Sequence, residues 1–215
     1  LMRYAPISGT DLAFVNGLTA QVTANTLTRN AAISQIVQRA DASTAVANIA
    51  YEFFTGVTPN GEGLDYLVSP TGGNTNNLNS AYYLNFNLEN RYINFAVNLG
   101  KLGEGAGRFA GLYGPLNLLD ATKQAYTTIF GVAPTDAKAH ALIDTRVDYF
   151  AAYGLDGPTG IGTKAAMVGW LLAEAVKADV GTYATSNNAF FTDLADGAAY
   201  HVDMIGVYPG TPLAG

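Results

Sequence analysis

The sequence predicts an all-α fold, a multi-helix bundle of about 8–10 helices, with the makings of two related helical units. Three observations predict it. Apolar residues recur at spacings of three and four along most of the chain. Prolines fall between the resulting segments, where a missing N–H costs nothing. No segment alternates apolar and polar residues for long enough to build a sheet.

Taken in order, residues 41–56 place Val46, Ile49, Ala50, Phe53 and Phe54 on one helical face. Asp41 or Ser43 stands where a cap is needed, and Gly56 supplies a left-handed stop. Residues 78–99 follow a Thr/Gly/Asn loop and read as one long helix, with Asn76 or Asn77 as its N-cap. Residues 116–130 repeat the design, with Leu119, Thr122, Tyr126, Ile129 and Phe130 inward and Gly131 closing the helix. Residues 135–153 offer Ala139, Ile143, Val147 and Phe150 before Gly154. Residues 163–180 carry the single tryptophan, Trp170, and a last helix is expected over 187–196.

An internal repeat links two of these segments. Tyr51, Gly56, Val57 and Pro59 recur as Tyr126, Gly131, Val132 and Pro134, each 75 residues on (126 less 51). Its physical content is a helix with a late aromatic, a glycine cap, a valine folding back and a proline opening the next helix. A boundary between units, 1–100 and 115–208, would fall in the Gly-rich stretch 100–114. Residues 209–215 read as a linker.

Hydrophobic residues make up 49% of the 215, enough for an extensive core. Charged residues are only 13%, about half the usual share. The surface must therefore be made polar by Thr, Ser, Gly and amides, including 17 Asn. Such a surface suits sugar hydroxyls and equally suits a non-adhesive secreted protein. The net charge of −6, with 11 scattered Lys and Arg, disfavours nucleic-acid binding, which needs a dense basic face. Absence of cysteine excludes disulfides, thiolate metal sites and cysteine catalysis. The longest apolar run, 167–173, is too short to span a bilayer, so no membrane insertion is expected. No basic segment followed by an apolar one opens the chain as a secretory signal would.

Catalytic signals are weak, and no enzyme is expected. Residues 157–164 hold three glycines and a lysine, but Thr163 precedes Lys164 and a helix precedes both. A phosphate-binding loop needs the opposite order after a strand, so an inter-helix turn is expected. His140 and Asp144 stand one helical turn apart without a serine nucleophile or zinc motif, and His201 stands alone near Asp203. Asp193, Asp196 and Asp203 set three carboxylates and a Gly turn within eleven residues, a candidate calcium site without EF-hand spacing. Asn60-Gly-Glu-Gly63 is a weaker candidate loop. On the 78–99 helix, Tyr83, Asn87, Arg91, Asn94 and Asn98 share a strip that can receive sugar hydroxyls and stack a ring on a pyranose face. The same strip could instead cap neighbouring helices.

Tyr51-x-Phe-Phe-Thr-Gly-Val-x-Pro59, Gly63-Leu-Asp-x-Leu-Val68, Ala81-Tyr-Tyr83, Glu89-Asn-Arg-x-Ile-Asn-Phe95 and Asn98-Leu99 resemble the N-terminal region of the crystalline S-layer protein of stalked alphaproteobacteria. Asp193-Leu-x-Asp-Gly-Ala198 is similar near that region's end. The resemblance implies an all-helical, extracellular domain that anchors a surface lattice to lipopolysaccharide O-antigen. It also implies a C-terminal β-rich, calcium-binding region beyond this chain, self-association in a hexameric lattice, and type I secretion. Two other readings stay open. One is a structural module that assembles a sheet or filament without touching glycan, and the other is a passenger domain of a secreted enzyme.

Overall fold

The computed structural model describes residues 2–3 and 9–195. Twelve α-helices and no strand run through them: α1 (Gly9–Thr23), α2 (Arg29–Asp41), α3 (Thr44–Thr55), α4 (Gly61–Val68), α5 (Ala81–Leu84), α6 (Leu88–Val97), α7 (Ala106–Tyr113), α8 (Leu118–Phe130), α9 (Asp136–Ile143), α10 (Val147–Gly154), α11 (Ile161–Lys177) and α12 (Thr182–Ala195). A π-turn, Asn98–Leu102, extends α6. The all-α expectation holds, and the helices are more numerous and shorter than the spacing indicated.

Two expected long helices are each split in two. The 78–99 segment breaks at 85–87, because the Asn87 side chain accepts the Asn90 N–H at 2.8 Å and starts α6 afresh. Asparagines compete with the helix for backbone partners in this way. Ten residues earlier Asn77 accepts the Asn79 N–H in a turn, and α5 starts after Ser80 and not, as expected, after Asn76 or Asn77. The 135–153 segment breaks at 144–146, where the Arg146 guanidinium leaves the helix line to lie over the Trp170 ring, 4.6 Å from its centroid. Periodicity missed α1, α2, α4 and α7. The 100–114 stretch, expected as a boundary, instead forms the π-turn and α7, with Phe109 and Tyr113 buried.

The internal repeat is structural. Gly56 (φ 80°) and Gly131 (φ 76°) both adopt the left-handed conformation that only glycine takes cheaply. Each N–H returns to the carbonyl four residues back, of Glu52 and Thr127 respectively. Asn60 then caps α4, and Thr135 caps α9, each accepting the N–H three residues on. Both following helices are eight residues long. The valines differ from expectation: Val57 and Val132 are exposed, because the tight turn points them outward.

Buried residues from α2 through α12 form one cluster, so both units share a core. At its centre lies α11, with thirteen of its seventeen residues buried. It packs along α6 and also against α8 and α10. Lys164 is buried on it, its Nζ donating to the Tyr113 and Gly114 carbonyls at 3.0 and 3.1 Å, which satisfies the C-terminal end of α7. Burial holds this lysine below its ordinary pKa. The α6–α11 crossing depends on Gly169, where an added Cβ would stand 2.6 Å from the Tyr92 carbonyl oxygen. Alanine favours a helix over glycine by about 1 kcal/mol. At position 169 the backbone clash outweighs that gain, and Gly169→Ala should cost roughly 1–3 kcal/mol in a chemical melt.

Candidate functional site

A cleft of about 270 Å³ opens where α4, the 69–80 loop, α5, α6 and the π-turn meet. Asparagines build its wall. The Asn74 side chain donates to the Tyr66 carbonyl at 3.1 Å and accepts the Asn76 N–H at 2.9 Å. Asn77 donates to the Asn74 carbonyl, and Asn79 reaches the Val68 carbonyl at 2.9 Å. These bonds satisfy a loop whose backbone lacks helical partners. They pin the loop against α4.

The lining is aromatic and amide. Tyr51, Tyr66, Tyr83, Asn74, Asn76, Asn98 and Glu104 face it, above Leu67, Phe95 and Leu99. Tyr66 is exposed, while Tyr83 is buried. The Tyr83 hydroxyl accepts from Asn98 Nδ2 at 2.9 Å, and burial pushes its pKa up to about 12. Tyr51 donates to Glu104 Oε2 at 2.5 Å, and burial, then the neighbouring carboxylate, push it up to about 12. Glu104 is the single charged group among the lining residues. An apolar floor with a few fixed polar groups is what a small-ligand site requires.

Of the five residues expected to form a strip, only Tyr83 and Asn98 reach this cleft. Asn87 caps α6. Arg91 is buried, its guanidinium donating to the Phe86, Ala42 and Leu78 carbonyls at 3.2, 2.7 and 3.4 Å. Asn94 accepts from the Tyr82 hydroxyl at 3.2 Å and donates to the Asn90 carbonyl. The break at 85–87 rotates α5 relative to α6, so the five do not share one face. Tyr51, Tyr66, Asn74, Asn76 and Glu104 went unnoticed in the sequence. Tyr51 lay in the repeat and the amides in the Asn run, but only folding brings them together.

The remaining candidates resolve as follows. Asp193 lies in α12 with its side chain outside the described residues, as are Asp196, Asp203 and His201 altogether. Asn60-Gly-Glu-Gly63 is the cap of α4. His140 Nδ1 and Asp144 Oδ1 stand 3.0 Å apart, both exposed. Residues 157–160 are an inter-helix turn, and 161–164 are the first turn of α11. There the Asp156 carboxylate accepts the Gly162 and Thr163 N–H groups at 2.7 and 3.2 Å. The chain's own acid thus occupies the positive end of α11, with Lys101 3.4 Å from it.

No curated protein matches the sequence. The family model described as RsaA N-terminal domain matches residues 43–214, which is most of the chain and leaves out α1 and α2. That family is structural, and it belongs to S-layers, the lattices that coat bacterial cells from outside. The chain belongs to the RsaA N-terminal domain family, and with it to the extracellular, cell-surface S-layer proteins.

Proposed function

We propose that this domain anchors its lattice to the outer membrane by binding lipopolysaccharide O-antigen, and that the cleft beside α4 receives the sugar. The observation that carries the reading is the lining: three tyrosines and three amides with one carboxylate and no Lys or Arg. A pyranose has an apolar face and a rim of hydroxyls. A tyrosine ring covers the face, and the amides offer the rim the hydrogen-bonding capacity that their own bonds leave over, each NH2 having two donors and each oxygen two lone pairs. A cationic site would suit the phosphates of inner lipopolysaccharide better.

Single sites of this kind bind weakly, and many copies in a lattice multiply them. The test is therefore retention of the domain on outer-membrane vesicles with and without O-antigen, in calcium and in chelator. Tyr66→Ala combined with Asn76→Ala should lower O-antigen-dependent retention about tenfold, an expected loss of roughly 1.4 kcal/mol. Both residues are exposed, so helix content should not change. Undiminished retention would remove the cleft from the reading. Equal retention on vesicles lacking O-antigen would remove the glycan itself. Oligomers forming without vesicles, with no retention on either kind, would favour a self-assembly module, a role that lattice proteins also need.

A further inference from the structure

The cleft beside α4 carries one charge, and nothing opposes it. Among the residues that line it only Glu104 has a charged side chain, and it has no ion-pair partner among the described residues. The two cations nearest to it in sequence are engaged elsewhere. Lys101 donates to the Gly154 carbonyl at 2.7 Å and stands 3.4 Å from Asp156. Arg108 donates to the Phe53 carbonyl at 2.8 Å, with the Phe54 carbonyl at 3.4 Å.

The carboxylate is also held in place. Glu104 sits between two glycines with little room for a side chain. A Cβ on Gly103 would stand 3.0 Å from the Asn98 carbonyl oxygen, and one on Gly105 would stand 2.7 Å from Phe54 Cβ. The Gly103 N–H returns to the Asn98 carbonyl at 2.7 Å, which closes the π-turn. From α3, Tyr51 donates to Glu104 Oε2 at 2.5 Å. A carboxylate can only accept, and the Tyr51 proton is committed to it, so both groups offer a ligand lone pairs alone. Burial pushes the Tyr51 pKa up to about 12, so the ring keeps that proton at neutral pH. Glu104 is exposed, within reach of a ligand. A group arriving at this corner must bring a donor and must not bring a negative charge.

We propose that Glu104, positioned by Tyr51, sets the specificity of the cleft: it takes uncharged sugars through their hydroxyls and turns away sugars bearing a carboxylate, phosphate or sulfate. The inference rests on the glycan reading and adds to it the class of sugar. Sugar hydroxyls are donors, and neighbouring ones can share the carboxylate oxygens. An acidic substituent would bring acceptors to acceptors and set like charges side by side over an apolar floor. Discrimination by a built-in repulsive group of this kind is as effective as an added attraction.

The experiment is competition for retention of the full chain on outer-membrane vesicles. The competitors are released O-polysaccharide, a carboxymethylated form of it, and a hydroxyethylated form that matches the second in size without its charge. In the parent, the hydroxyethylated polymer should compete about tenfold better than the carboxymethylated one, and added salt should shrink the ratio. Glu104→Gln, isosteric and at an exposed position, should bring the ratio within about twofold. Glu104→Lys should invert it. Asp144→Asn removes the same charge from the net −6 but lies outside the cleft, and it should leave the ratio unchanged. Circular dichroism checks that each variant folds. A parent ratio near one, a ratio that survives Glu104→Gln, or one that falls equally in Asp144→Asn overturns the assignment while leaving glycan binding in place. No competition by the unmodified polysaccharide overturns the glycan reading itself, and this inference with it.

Discussion

Phe54→Ala should lower the free energy of unfolding by about 3–5 kcal/mol, measured by denaturant melts with an unchanged m-value. Phe54 is wholly buried on α3, its ring 5.2 Å from that of Phe53 and 4.8 Å from that of Phe109. The size of the loss depends on whether the surroundings can close the void. Here they are partly backbone. A Cβ on Gly100 would stand 2.4 Å from the Phe54 ring, and one on Gly105 would stand 2.7 Å from Phe54 Cβ. The π-turn and the start of α7 are thus fitted to the phenylalanine and resist moving inward. Core cavities that cannot collapse lie at the costly end of the range. A loss under about 1 kcal/mol would show that α7 is free to shift.

Arg91→Ala should cost about 2–4 kcal/mol, because it strips hydrogen bonds from three carbonyls at part-buried or buried positions. Those carbonyls belong to the end of α2, the 69–80 loop and the turn before α6. One guanidinium ties three segments whose own backbones leave acceptors unmet. Arg91→Lys should recover only part of the loss, since an ammonium is a point charge without the planar fork. Vesicle retention of the folded Arg91→Ala protein should equal the parent's. Retention lost while stability is kept would return Arg91 to the glycan site and contradict the buried geometry.

Arg91 also shows what the sequence conveys and what it does not. Its spacing from Asn87, Asn94 and Asn98 is genuine, and on a continuous helix these side chains would align. Apolar periodicity marks which residues turn inward, so Phe54, Ile129, Phe150 and the α11 stripe were legible, as were the glycine stops at 56 and 131. Asparagine is where the reading fails. Its side chain can imitate a backbone turn, sit at an N-cap or line a cleft, and local sequence does not choose among these. The run from Asn74 to Asn98 contains all three uses. The cleft was illegible for a second reason. Tyr51 and Glu104 stand on opposite sides of the α4–α6 segment in sequence, and only the packing of α3 against the π-turn brings them within bonding distance.

The position of α11 along the chain has a consequence for when the protein can fold. The helix on which α6, α8 and α10 all pack is residues 161–177, so α6 and α8 are synthesised well before it and α10 just before it. Until it emerges from the ribosome, α6 has α3 and α8 has α9 to pack on, but the apolar faces of both lack their main partner. Contacts so distant in sequence form late and slowly. Until residues 161–177 are made the domain therefore stays incompletely packed, which suits a protein whose place is outside the cell and which must cross an envelope to reach it. The same delay leaves those faces exposed in the interval. With only 13% charged residues to keep them apart, chains cut before α11 should aggregate more readily than the whole domain, which light scattering would register.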